Sequence, residues 1–377
     1  MAGRATGATR LKGLFEDEHE AFRESFRRFC EAEVGPSYPD WRRQGIPRDL
    51  FGQLAEHQFV GASVPEECGG AGIEDFRFGA VICEEAMAAN APGLGLMLAA
   101  LNEAAIPTLT ALATDERGAA WLEGLASGEL IAALASGDSP LATTPGDGAV
   151  VLNGEVRGVI NGGLAEIVAV PVSTGNGSDD LALAVLNADA PGLTRTRSAE
   201  LVGPNPLDRA DLGFDRVEVP ADSLLESGAA GALARATLAE RLAVAAMCVA
   251  GARAALAETL AYVHDRRAFG IPIAQFENTR FALAGVSAEI DATQSFVDAC
   301  VREHTDGALT AARCAAAKLE ASELFCRAVD WCVQLHGGYG YMLEYPIAHT
   351  FMAARFLKLH AGTSEELKDL VAGSIGL

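Results

Sequence analysis

Three short stretches carry residue types that could do chemistry. In LKLHAGTSEELKDL, Leu357 to Leu370, Gly362 is followed by Thr363, Ser364 and two glutamates. A glycine lets the chain turn, a hydroxyl caps a helix, and carboxylates favour the positive end of its dipole. In DRRAFG, Arg266 offers a fixed guanidinium fork that suits phosphate oxygens. The plain alternative is an arginine at the negative end of a helix dipole. In QLHGGYGY, Gln334 stands one turn before Gly337 and Gly338. Without Cβ atoms, such a backbone can approach a pyrophosphate or adenosine closely and donate its amides. The alternative there is a helix C-cap followed by a tight turn.

The elements that must position these residues change period along the chain. From Leu14 to about Ala126 the pattern is helical, with Phe15, Phe22, Phe26 and Phe29 on one stripe and helix entries at PRDL and TDER. From Glu129 to about Val219 the period shortens to that of strands. AVVL, Asn153-Gly154 and EVRGVI predict a type I′ hairpin, with further strands in EIVAVPVS, LALAVLN and DRVEVP. From Ala229 onward, Ala-rich segments return to helix spacing. This α–β–α order predicts an α+β chain of three units: a helical domain over 1–126 with a disordered tail over 1–13, an antiparallel β domain over 127–227, and a helical bundle over 228–377.

The 377 residues suffice for two or three domains and a large core. A net charge of −22 argues against nucleic acid and anionic membrane surfaces as partners, and acidic ligands would need a local basic site. Eight cysteines stand singly without a C-x-x-C pair, which reads as reduced thiols and no metal site. The first residues lack the apolar core of a signal peptide, and the longest apolar runs are broken by charged or polar residues or by proline. The expectation is a soluble, cytoplasmic protein.

The order of elements and several motifs resemble the acyl-CoA dehydrogenase family over essentially the whole chain. VPEECGGAG resembles Pro-Glu-Glu-Tyr-Gly-Gly-x-Gly, and YVHDRRAFGIPIAQFE, VQLHGGYGY and HAGTSEE follow in the family's order and spacing. The resemblance implies the acyl-CoA dehydrogenase fold and FAD. It makes Arg266 the arginine on the FAD pyrophosphate and Phe269 an aromatic lining the cofactor. Gln334, Gly337, Gly338 and Thr363 become flavin contacts, and in the family the segment around Gly337 reaches the FAD of a neighbouring subunit. Glu277 stands where the family has glutamine, and a carboxylate cannot donate as an amide can.

Other family positions are altered. His360, Ala361, Gly362, Thr363 and Ser364 stand against Tyr-Glu-Gly-Thr-Ser, so the catalytic carboxylate is Ala361. The aromatic-Ile-Thr-Asn strand beside the isoalloxazine ring is Gly158, Val159, Ile160 and Asn161. The ring-holding loop is reduced to Ser136, Gly137 and Asp138 within AALASGDSPLATT, and the usual Arg-Asp before the base is Met352 and Ala353. The reaction removes a proton from the acyl α-carbon and passes a hydride to flavin, so it needs a poised base beside the ring. Glu240, followed by Arg241, matches the alternative base position of isovaleryl- and long-chain-type dehydrogenases. Its other reading is a glutamate in the first turn of a long helix.

The asymmetry implies a chain that lends its C-terminal motifs to the FAD of a catalytically complete partner, as in the non-catalytic subunits of actinobacterial α2β2 enzymes that desaturate steroid side-chain CoA thioesters. An electron-transfer flavoprotein is the acceptor implied by the family. Two alternatives stand beside it: a homotetrameric dehydrogenase using Glu240, and a scaffolding subunit with no flavin contact.

Overall fold

A computed structural model describes residues 11–112, 115–135, 140–145, 148–173, 181–198 and 200–377. The N-terminal unit is helical: α1 (Asp17–Phe29), α2 (Gly35–Gln44), α3 (Leu50–Glu56), α4 (Phe76–Ala88), α5 (Pro92–Ala99), α6 (Ile106–Leu112) and α7 (Glu116–Ala126). Two π-helical turns, Cys30–Val34 and Ala100–Ala105, join α1 to α2 and α5 to α6. The phenylalanine stripe closes around Phe59, whose ring lies 5.3, 4.9 and 5.6 Å from Phe22, Phe26 and Phe29. Asp115 caps α7 by accepting from the Gly118 amide at 2.7 Å.

The middle unit holds β1 (Ala132–Leu134), β2 (Leu141–Pro145), β3 (Ala149–Ile160), β4 (Ile167–Ser173), β5 (Leu181–Asn187), β6 (Leu193–Arg197), β7 (Arg209–Pro220) and β8 (Leu224–Leu225). The sheet runs β6-β7-β3-β2-β4-β5-β8, with β1 also paired to β4. It is mixed, not antiparallel as the sequence suggests, because β1 and β2 both run parallel to β4. The expected Asn153-Gly154 hairpin is not formed either. Strand β3 continues through both residues, and its register against β7 shifts between Leu152 and Gly154. Asn153 accepts from the Arg216 amide at 3.0 Å, so its turn-forming side chain serves a bulge between two long strands.

The C-terminal unit consists of α8 (Ala229–Asp265), a two-stranded clip of β9 (Arg267–Ala268) and β10 (Ile271–Pro272), then α9 (Glu277–Thr305), α10 (Ala311–His336), α11 (Pro346–Leu357) and α12 (Ser364–Ser374). Helix α8 is the central post. Alanine, valine and leucine surround it, and it packs against α4, α9, α10 and α11. By length and composition, 92–112 and 229–265 are apolar enough to cross a membrane, but each is mostly buried inside the protein, as core helices are. The described cysteines are all free thiols.

Candidate functional site

Two clusters emerge, at different places on the C-terminal unit. The first surrounds the turn between α11 and α12. His360 Nε2 lies 3.1 Å from Glu240 Oε1 of α8, with side-chain exposures of 19% and 17%. The His360 ring also stacks on Phe356 at 5.7 Å. Burial pushes the Glu240 carboxyl up, but the His360 hydrogen bond, with the charges of His360 and Arg241, outweighs it and holds the carboxyl below its ordinary value. Arg241 Nε donates to the Ala361 carbonyl at 3.0 Å, and Ala361 sits in the left-handed region at φ +58°. Beneath the turn, fully buried Lys318 donates to the carbonyls of Lys358 (2.9 Å) and Gly362 (2.7 Å). Burial lowers its ammonium to about 8.

Thr363 belongs to this cluster. It makes the capping box that the sequence announces: its hydroxyl accepts from the Glu366 amide at 3.3 Å, and Glu366 accepts from its own amide at 2.6 Å. The turn therefore keeps its helix-start chemistry, while the neighbouring position presents only the Ala361 methyl.

The second cluster joins the end of α8 to the end of α10. Arg266 lies exposed, its guanidinium 5.6 Å above the Tyr339 ring. Tyr262 stacks on His336 at 4.2 Å and donates to its carbonyl at 3.2 Å, which ties the two helix ends together. Gly337 ends α10 at φ +59°, and Gln334, Gly337 and Gly338 are all exposed. Phe269 is 97% exposed, and Tyr341, Met342 and Leu343 are exposed beside the same turn. Glu277 opens α9 in solvent, where a carboxylate meets the positive end of the dipole. An apolar, aromatic surface of this kind marks a contact face.

The backbone around Gly158 is closed in a way the sequence does not reveal. Gly158 has φ +71°, and a Cβ there would stand 1.9 Å from Arg209 Nη2. Arg209 Nε donates to the Gly158 carbonyl at 3.2 Å, and the Gly158 amide donates to Asp211 at 2.7 Å. A guanidinium from β7 thus stands where a side chain at 158 would begin. Ile160 is buried, Ala353 is fully buried, and a Cβ on Gly203 would meet Met352 at 2.8 Å. Ser136, Gly137 and Asp138 lie outside the described residues. Arg209, His360 as the partner of Glu240, and Lys318 are the site residues that sequence reasoning missed. Each acts across at least 40 residues of chain, where no local pattern reports it.

The chain matches the model of the acyl-CoA dehydrogenase N-terminal domain over residues 16–129 and that of the C-terminal domain over residues 227–376. It is 30% identical to the mitochondrial long-chain specific acyl-CoA dehydrogenase of Sus scrofa, over 97% of this chain and 88% of that protein. A probable acyl-CoA dehydrogenase of Bacillus subtilis is 31% identical, over 94% and 97%. The crystal structure of an acyl-CoA dehydrogenase from Geobacillus kaustophilus superposes with a TM-score of 0.90 at 32% identity, covering 96% of this chain and 99% of that one. The chain belongs to the acyl-CoA dehydrogenase family, whose members are FAD-dependent oxidoreductases acting on acyl-CoA thioesters.

The described residues of one chain do not make a whole cradle for FAD. The candidate pyrophosphate and adenosine contacts are exposed on an outer face, and a side chain at 158 would meet the Arg209 guanidinium. A complete site would need groups from elsewhere.

Proposed function

We propose that this chain is a subunit of an FAD-dependent acyl-CoA dehydrogenase in which a different chain carries the chemistry. In an α2β2 assembly, Arg266, Phe269, Gln334, Gly337, Gly338 and Thr363 would serve the FAD held by the partner. The observation that carries this reading is the Arg209 guanidinium standing where a side chain at 158 would lie, at the position the resemblance gives to an aromatic beside the ring. The exposed aromatic face beside Arg266 supplies the surface that assembly requires. A cytoplasmic setting and an electron-transferring flavoprotein as acceptor go with it. Resemblance to the actinobacterial heterotetramers puts steroid side-chain CoA thioesters first among substrates to assay.

The test is Arg266→Ala in the assembled complex. Loss of a phosphate pair should weaken FAD retention by about ten- to a hundredfold, although this chain performs no chemistry. Retention equal to wild type would leave Arg266 as a helix-end charge. One observation favours a second reading: Glu240 is half-buried, held below its ordinary value and paired with His360, and the similar proteins include long-chain and isovaleryl-CoA dehydrogenases. A homotetramer using Glu240 as base would hold one FAD per chain when this chain is purified alone. The heteromeric reading expects little or none.

A further inference from the structure

Residues 11–14 cross the junction between the two helical units. The sequence reads 1–13 as a disordered tail, yet Leu11 and Leu14 are both tied down. Leu11 donates its amide to Asp298 Oδ2 of α9 at 3.0 Å. Arg302, one turn further along α9, donates to the Lys12 carbonyl at 3.4 Å. The Leu14 amide then turns back to the Leu11 carbonyl at 3.1 Å, a turn that Gly13 permits at φ +75°. Beyond the turn, the Leu14 side chain is buried and its carbonyl accepts from Arg77 of α4 at 3.0 Å. This short strap therefore grips α9 at one end and α4 at the other.

The grip on α9 reaches into the core. Asp298 is 1% exposed, and its other oxygen accepts from Gln294 Nε2 at 2.7 Å. Gln294, also buried, accepts in turn from Arg253 of α8 at 3.1 Å. A row of hydrogen bonds thus joins the strap to the central post of the bundle. A buried carboxylate is costly when it loses a donor, because water does not replace it. Moving residue 11 away would strip the Leu11 amide from Asp298, so the strap is held by the burial of its partner. Helices α4 and α9 also meet through Phe76 and His304, whose rings lie 4.8 Å apart, and the strap runs over that seam.

We infer that Leu11–Leu14 is a latch that closes the N-terminal helical unit onto the C-terminal bundle, with the Asp298 carboxylate as its catch. Opening it frees the start of α1 from α9 while the exposed face beside Arg266 keeps its structure. Lys12 reports the state of the latch: its side chain is exposed while its carbonyl is held by Arg302, so the Lys12–Gly13 bond becomes extended enough for a protease only when the strap lets go. The inference holds whichever chain carries FAD.

A lysine-specific endoproteinase acting on the full chain tests it, with loss of the segment up to Lys12 read by mass spectrometry. Each rate is divided by that of the matching free peptide. Leu11→Pro removes the amide hydrogen and leaves Asp298 in place; it should be cut at least about tenfold faster than wild type, the scale of one lost hydrogen bond to a carboxylate. Leu11→Ala keeps the amide and should stay within about threefold of wild type. Asp298→Asn, a weaker acceptor, should be cut about three- to tenfold faster. Hydrogen exchange should quicken in α1 of Leu11→Pro and stay unchanged in α11, as local opening requires. Wild-type cutting rates in both Leu11→Pro and Asp298→Asn would overturn the inference. So would a Leu11→Ala rate as high as that of Leu11→Pro, since the side chain and not the amide would then be the hold. Equal quickening of exchange in α1 and α11 would overturn it too, as general unfolding.

Discussion

The Glu240 carboxylate is spoken for by His360 at 3.1 Å and lies beside Arg241, which itself holds the Ala361 carbonyl. The hydrogen bond gives this half-buried carboxylate a structural partner, and the proposed function assigns it no catalytic duty. Glu240→Gln keeps the shape and one acceptor. Turnover of the assembled complex should change by less than about threefold, whereas loss of a working general base costs about 10²-fold or more. A collapse with FAD still bound would establish Glu240 as the base. Glu103 gives a pH signature at the same scale. Burial raises its folded value from 4.5 to about 8, so the folded protein binds the extra proton between those limits. Stability from this group is therefore full below about 4.5 and falls as the pH rises towards 8. Between pH 6 and 8.5, chemical denaturation should show wild type losing about 1 kcal/mol or more relative to Glu103→Gln, which cannot titrate. Parallel curves for the two proteins would contradict this environment for Glu103.

Elements differ in how far the sequence announces them. The α12 start was fully legible, since Gly362, Thr363 and Glu366 make a capping box from four successive positions and their neighbours. The phenylalanine stripe of α1 was legible for the same reason: helix spacing is local. Asn153-Gly154 misled because turn propensity is also local, whereas β3 is carried through by its pairing with the distant strand β7. The parallel partners of β4 are equally non-local. The candidate site divides along the same line. Arg266 and the glycine turn could be read from motifs, but Arg209 entering the Gly158 space and Lys318 entering the Ala361–Gly362 turn could not. Lys318 is the post under that turn. Lys318→Met should leave two buried carbonyls without their donor and cost about 2 kcal/mol, read as a lowered Tm. An unchanged Tm would mean that the turn is held by Arg241 and the capping box alone.

At the scale of the molecule, the proposed function divides the candidate flavin contacts into an outer and an inner half. The outer half, from Arg266 to Tyr341, is an exposed face of aromatic and glycine residues around one guanidinium. At Gly158 a side chain would meet the Arg209 guanidinium. On the proposed reading this chain completes another chain's site, so flavin should be counted per pair of chains. The most direct measurement is the flavin absorbance of the complex purified with its partner, set against protein concentration from amino-acid analysis. The account expects about one FAD per two chains; a value near one per chain would contradict it.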